Sequence, residues 1–129
     1  LCVCLVVGFG VGGCADDVVS IGDPVVLEVS VRRAETAAER TDGLRAKTLG
    51  PGEGLLLVFP VEDELCITNA GVSQSIDAVF IDADGAVTRV ARSIAAGDGT
   101  VRCARAQWIL EVLAGEAVAV APGMVADGL

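Results

Sequence analysis

Histidine and tyrosine are both absent from the 129-residue chain. Without histidine there is no Ser–His or Cys–His nucleophile and no imidazole to ligate zinc. Aromatic residues amount to 3%, three Phe and one Trp. A base-stacking platform or an aromatic cage has almost nothing to be built from. Basic charge is scarce too: 9 Lys and Arg stand against 18 Asp and Glu, for a formal net charge of −9. Affinity for phosphate backbones comes from basic charge, so nucleic acid is not an expected partner. No cofactor and no metal site is called for by any motif. No apolar run approaches the roughly 20 residues that span a bilayer. What the chain does have is 53% hydrophobic and 21% charged residues, a balance that suits one packed domain.

Residues 1–13, Leu-Cys-Val-Cys-Leu-Val-Val-Gly-Phe-Gly-Val-Gly-Gly, carry no charge. The run has the length of a secretory h-region and reads as a signal peptide lacking its basic start. Val11-Gly12-Gly13-Cys14 follows the pattern of a bacterial lipobox, an aliphatic residue and two small ones before the Cys that receives lipid. A plain secretory signal and an apolar cytosolic start are the alternatives. On the lipobox reading, residues 14–24 are a lipidated Cys14 and its tether, ended by the turn signal Asp23-Pro24. The domain proper is then 25–129. Its expected location is the cell envelope, periplasmic or extracellular face, held to the membrane by the lipid on Cys14.

The body reads as short strands with turns between them. Val25–Arg32 alternates apolar and polar residues, the pattern of a half-buried strand. Thr36-Ala37-Ala38-Glu39 fits a capping box and opens a short helix that Gly43 can end. Leu55–Phe59 is an apolar run closed by Pro60, and Leu65–Thr68 is a second short strand. Ile76–Ile81, the turn Asp82-Ala83-Asp84-Gly85 and Ala86–Arg92 form the clearest hairpin. Gln107–Val112 is a further strand, and Ala114–Ala119 suits either a helix or a strand. The fold expected is mainly β, a compact sandwich or barrel-like single domain with one or two short helices.

The order of these pieces resembles the bacterial and archaeal family called domain of unknown function 192. The matching stretches are Ala38-Glu39-Arg40-Thr41-Asp42-Gly43-Leu44, Gly52-Glu53-Gly54-Leu55-Leu56-Leu57, and Cys66-Ile67-Thr68-Asn69-Ala70-Gly71. The most specific are Ile76-Asp77-Ala78-Val79-Phe80-Ile81-Asp82-Ala83-Asp84-Gly85 and, after it, Ile109-Leu110-Glu111-Val112-Leu113-Ala114-Gly115. The resemblance implies a compact β domain, often secreted or membrane-anchored, with no established activity. It also implies groups that this chain lacks: an aromatic, His or Lys near Thr68–Asn69, a basic residue near Ser73, and Pro at Ser75. A family pocket built on those groups would be altered here.

Two carboxylates are the candidates for chemistry. Asp77 stands between an apolar strand and a polar loop, where it serves as a general base or ligand anchor, or caps the backbone of the 69–75 loop. Glu111 interrupts Trp108-Ile109-Leu110-Glu111-Val112. It pairs with Arg40 or Arg45 from the short helix, or faces water. Asp82, Asp84 and Gly85 lack the later ligands of a calcium loop and read as a turn. Cys66 and Cys103 form a disulfide outside the cytoplasm, or stay as a buried residue and a loop thiol. Thr68, Asn69, Ser73, Gln74 and Ser75 make an uncharged polar loop that, with Asp77 beside it, suits a neutral ligand, or is simply a solvated connection.

The function expected is therefore a non-catalytic envelope lipoprotein domain that binds a small neutral ligand or an envelope protein. The alternatives are a carboxylate enzyme acting on envelope material through Asp77 and Glu111, and a degenerate structural module.

Overall fold

The computed structural model describes residues 17–129 in full. Before them it describes only the backbone of two short strands, β1 (Val3–Leu5) and β2 (Gly13–Ala15), which pair antiparallel. The leader reading of residues 1–13 and the lipidation of Cys14 concern side chains outside the described residues.

Seven strands form the body: β3 (Asp17–Ile21), β4 (Leu27–Ala34), β5 (Glu53–Ile67), β6 (Ile76–Ile81), β7 (Val87–Ile94), β8 (Arg102–Leu113) and β9 (Ala126–Asp127). They lie side by side in the order β7-β6-β8-β5-β4-β3-β9. The sheet curls into a half-barrel, so the expectation of a mainly β, barrel-like single domain holds. Neighbouring strands run antiparallel except β4 and β5, which are parallel. Parallel neighbours need a crossover connection rather than a hairpin. Residues 35–52 supply it, and the helix α1 (Ala37–Asp42) rides on it.

The capping box read from the sequence is formed. The Glu39 N–H donates to Thr36 Oγ1 at 3.1 Å, and the Thr36 N–H donates to Glu39 Oε1 at 3.0 Å. Gly43 ends the helix at φ 46°, a conformation that side-chain-bearing residues rarely adopt. The chain then makes one 3-10 turn, Gly43–Arg45, which buries Leu44 and leaves Arg45 exposed.

Apolar residues fill both faces of the sheet. One face packs Val19, Val29, Leu56, Val79, Leu110 and Val112, closed over by Ala117 and Val120. The other packs Leu55, Leu57, Ala78, Phe80 and Ile109 beneath Leu44, Leu49 and Val72. Sheets covered on both sides carry continuous apolar runs, which accounts for Leu55-Leu56-Leu57 and for β6, buried along its whole length.

Three boundaries differ from the sequence reading. Residues 17–21 are not tether: β3 pairs with both β4 and β9, and Val19 and Ile21 are wholly buried. Asp23-Pro24 marks the turn between β3 and β4, not the entry to the domain. Leu55–Phe59 and Leu65–Thr68 belong to a single strand. Pro60 lies in a bulge between Val58 and Asp63, where residues 59–62 of β5 stand opposite Gln107 of β8. A proline has no ladder N–H to give, and a bulge is where a strand tolerates that. Residues 114–119 form turns, neither helix nor strand.

Beyond the bulge Cys66 and Cys103 face one another in register and are joined as a disulfide, 37 positions apart in the chain. Of the two readings open for this pair, the bridge is the one the structure contains.

Candidate functional site

The crossover does not lie flat on the sheet. Helix α1 and the turn after it stand off from β5 and enclose a cleft of about 410 Å3. Arg40, Thr41 and Asp42 line it from α1, and Leu44 and Arg45 from the 3-10 turn. Leu57, Phe59, Cys66 and Ile67 line it from β5, with Thr68, Val72 and Glu111 completing the wall. The β5 bulge matters here, because it is what places Phe59 beside α1.

Glu111 is the unusual member. In β8 it sits between Leu55 of β5 and Ala78 of β6, and it is 6% exposed. Among the described residues its carboxyl has no hydrogen-bond or ion-pair partner. Burial pushes its pKa from the ordinary 4.5 up to about 7. A buried charge normally pairs, or gives up its charge. Glu111 takes the second course, and its carboxyl is half protonated near neutrality.

Arg40 and Arg45 do not pair with it, contrary to one of the sequence readings. Arg40 uses Nη1 to donate to the carbonyls of Glu35 at 2.5 Å and Val58 at 2.9 Å. Its guanidinium carbon lies 4.8 Å from the centroid of the Phe59 ring, within cation–π range. Arg45 Nε donates to the carbonyl of Ala70 at 3.2 Å. Both side chains are thus held at the cleft by backbone oxygens. The other Arg40 nitrogens and both terminal nitrogens of Arg45 have no acceptor among the described residues.

Asp77 lies on the far side of the sheet. Ala78, not Asp77, is the register partner of Glu111, and side chains alternate along a strand. Asp77 accepts from the N–H groups of Ser93 at 2.8 Å, Gly115 at 2.9 Å and Ala117 at 3.1 Å. It ties the β7 end and the 114–117 turns to β6. Ser93 has a left-handed φ of 54°, and β6 and β7 slip register between Ile76 and Ala78. The two-carboxylate site expected from Asp77 and Glu111 is therefore not assembled, since the sheet stands between them.

The 68–75 loop is mostly occupied with itself. Asn69 is buried and donates through Nδ2 to the carbonyls of Gln74 and Ala95. Thr68 Oγ1 accepts from the Ala70 N–H, and Ser75 Oγ from the Ala96 N–H. Ser73 is exposed. Of the five residues grouped as a ligand site, Thr68, Asn69, Ser73, Ser75 and Asp77, only Thr68 lines the cleft. Glu64, Cys66 and Cys103 cluster closely enough to suggest a metal, but the two sulfurs are bonded to each other.

Thr41, Phe59 and Ile67 are cleft residues that the sequence reading did not group, and Arg40 and Arg45 entered it only as ion-pair partners for Glu111. A signal was present, because Arg40 and Leu44 belong to the helix-end motif Arg-x-x-Gly-Leu.

Residues 18–126 match the model of DUF192, a family described as an uncharacterized ACR. The chain belongs to the DUF192 family. No curated protein gives a significant match. Two solved structures are similar in fold. One is a protein of unknown function from Novosphingobium aromaticivorans, 23% identical, with a TM-score of 0.79 over 85% of this chain and 83% of that one. The other, from Sinorhizobium meliloti and described as a candidate transcription regulator, is 19% identical, with a TM-score of 0.80 over 86% and 92% of the two chains. At these identities the likeness is one of fold alone. The DUF192 match begins at residue 18, in agreement with a domain that includes β3.

Proposed function

We propose that this DUF192 domain is a non-catalytic binding module that holds a small polar molecule in the cleft between α1 and β5. One observation carries the reading: a carboxyl 6% exposed, with no partner among the described residues, lines a cavity of about 410 Å3. A carboxyl with no internal partner that opens on a cleft is available to hydrogen-bond a ligand there. Cleft volume, apolar walls and a few convergent polar groups are the features of small-molecule sites in general.

Display at the cell envelope through lipid on Cys14 is part of the proposal. The Val11-Gly12-Gly13-Cys14 pattern supports it. So does the Cys66–Cys103 bridge, since disulfides persist in oxidising compartments. Mass spectrometry of the native N-terminus tests this part: diacylglycerol on Cys14 supports it, and an intact residue 1 overturns it.

Amide-shift mapping tests the cleft. A panel of small polar compounds, titrated into isotope-labelled protein, should move the amides of Thr41, Leu44, Thr68 and Glu111 together. Shifts confined to residues 69–75, or scattered over the surface, would return the site to the polar loop or to none. A second reading is that Glu111 alone acts as a general acid–base, which draws on its titration near neutrality. Turnover of cell-wall fragments by the native chain, absent in Glu111→Gln, would favour it.

A further inference from the structure

Resting on that reading of the cleft, we infer that its ligand is a small organic carboxylate, received by the Arg40 and Arg45 guanidiniums beside the buried Glu111 carboxyl. The charged groups facing the cleft are few. Helix α1 brings Arg40 and Asp42, the 3-10 turn brings Arg45, and β8 brings Glu111. Strand β5 contributes Leu57, Phe59 and Ile67 and no charge. Two guanidiniums converging on one cleft are conspicuous in a chain with a formal net charge of −9.

The donors point the same way. Each guanidinium is fixed to backbone carbonyls through one nitrogen, and its remaining nitrogens lack acceptors among the described residues. Such side chains are ordered before the ligand arrives, which lowers the entropy cost of binding. A planar fork matches a carboxylate. A cationic ligand would meet like charge at Arg40 and Arg45. Leu57, Phe59 and Ile67 suit a ligand with a short hydrocarbon part, not an inorganic oxyanion.

Glu111 then sets the protonation state. An incoming carboxylate is repelled by an ionised Glu111 and accepts a hydrogen bond from a neutral one. The complex therefore keeps the Glu111 proton, and affinity falls as that proton is lost.

The test is a set of titrations with propionate, propionamide, propylammonium and inorganic phosphate at pH 6 and pH 8, followed by amide-shift mapping. Propionate should bind at the cleft and weaken about 10-fold at pH 8, as follows from half-titration near neutrality. Glu111→Gln should keep the binding and abolish its pH dependence. Arg45→Gln should lower the affinity about 10-fold, the effect of one lost charged hydrogen bond. Binding of propionamide, propylammonium or phosphate at the cleft, with propionate silent, overturns the carboxylate assignment and leaves the cleft as a binding site. A propionate affinity equal at both pH values overturns the role of the Glu111 proton. Silence of all four probes at the cleft overturns both this inference and the reading it rests on.

Discussion

Asp77 and Glu111 are carboxylates on adjacent strands of one sheet, and they enter opposite faces of it. The register that pairs Ala78 with Glu111 sends Asp77 the other way. Asp77 meets three backbone N–H donors there. Glu111 meets none and lines a cavity instead. The same functional group is in one place a structural clamp and in the other an available acid.

Replacement by the neutral amide should separate the two roles. Asp77→Asn trades an acceptor oxygen for an NH2 group, which faces N–H donors it cannot satisfy. The expected loss is about 1–3 kcal/mol, read from the midpoint of urea unfolding. Glu111→Gln should not destabilise the fold. An Asp77→Asn protein as stable as the parent would remove the clamp.

Stability should depend on pH through Glu111. Its pKa is raised from 4.5 to about 7 in the folded chain. Below 4.5 both folded and unfolded chains hold the proton and burial carries no charge penalty. Between 4.5 and 7 the folded chain keeps the proton that the unfolded chain has released, so stability falls as pH rises. Above 7 the loss is complete, about 3 kcal/mol on the usual linkage scale. Glu39, Glu62 and Asp98 act in the opposite sense, because N–H and guanidinium donors hold their carboxyls below the ordinary range. Their contributions vanish on acidification. Unfolding curves from pH 4.5 to pH 8 should therefore slope downward for the native chain, and Glu111→Gln should flatten that slope. A slope unchanged in the variant would mean that Glu111 is solvated.

The Cys66–Cys103 bridge should stabilise the domain by roughly 2–4 kcal/mol. Thermal unfolding with and without a thiol reductant measures it, with the double variant Cys66→Ser, Cys103→Ser as the permanent form. Equal melting temperatures in the oxidised and reduced states would show that the β5–β8 ladder holds this end unaided.

The wall of the cleft should respond to its helix cap. Thr36→Ala removes the acceptor for the Glu39 N–H and should cost about 1 kcal/mol. Amide exchange ought to quicken in residues 37–45 while the sheet keeps its protection. Uniform acceleration across the sheet would instead make the crossover part of the global unfolding unit.

Much of this architecture is legible in the residues, and the failures have physical causes. The capping box at Thr36 and Glu39 and the hairpin turn at Asp82–Gly85 are local devices, fixed by a few neighbouring groups, and they stand where the sequence puts them. Val18-Val19-Ser20-Ile21 was harder, because an uncharged apolar run upstream and Asp-Pro downstream invite a linker. Pairing with β4 just downstream, and with β9 far away in sequence, makes it a strand. Pro60 reads locally as a strand end, and a bulge across β8 is a non-local fact. The cleft was the least legible part. Glu111 looks like any acid interrupting a strand until the faces are assigned. Arg40 and Phe59 meet only because the crossover and the bulge bring them together.

The parallel join of β4 and β5 gives the connecting segment an unusual liberty. Residues 35–52 leave one strand and enter the next, and only the Gly52 carbonyl, which accepts from the Ser30 N–H at 2.9 Å, joins the ladder between them. The rim of the cavity is thus built on a strap fastened at both ends and pinned between them by Leu44 and Leu49, which it gives to the core. Changes at its exposed positions, such as Thr41 and Arg45, would reshape what the cavity admits while the sheet beneath keeps its register. The shape of the rim is thereby tied to folding at those two leucines and freer at the positions between them.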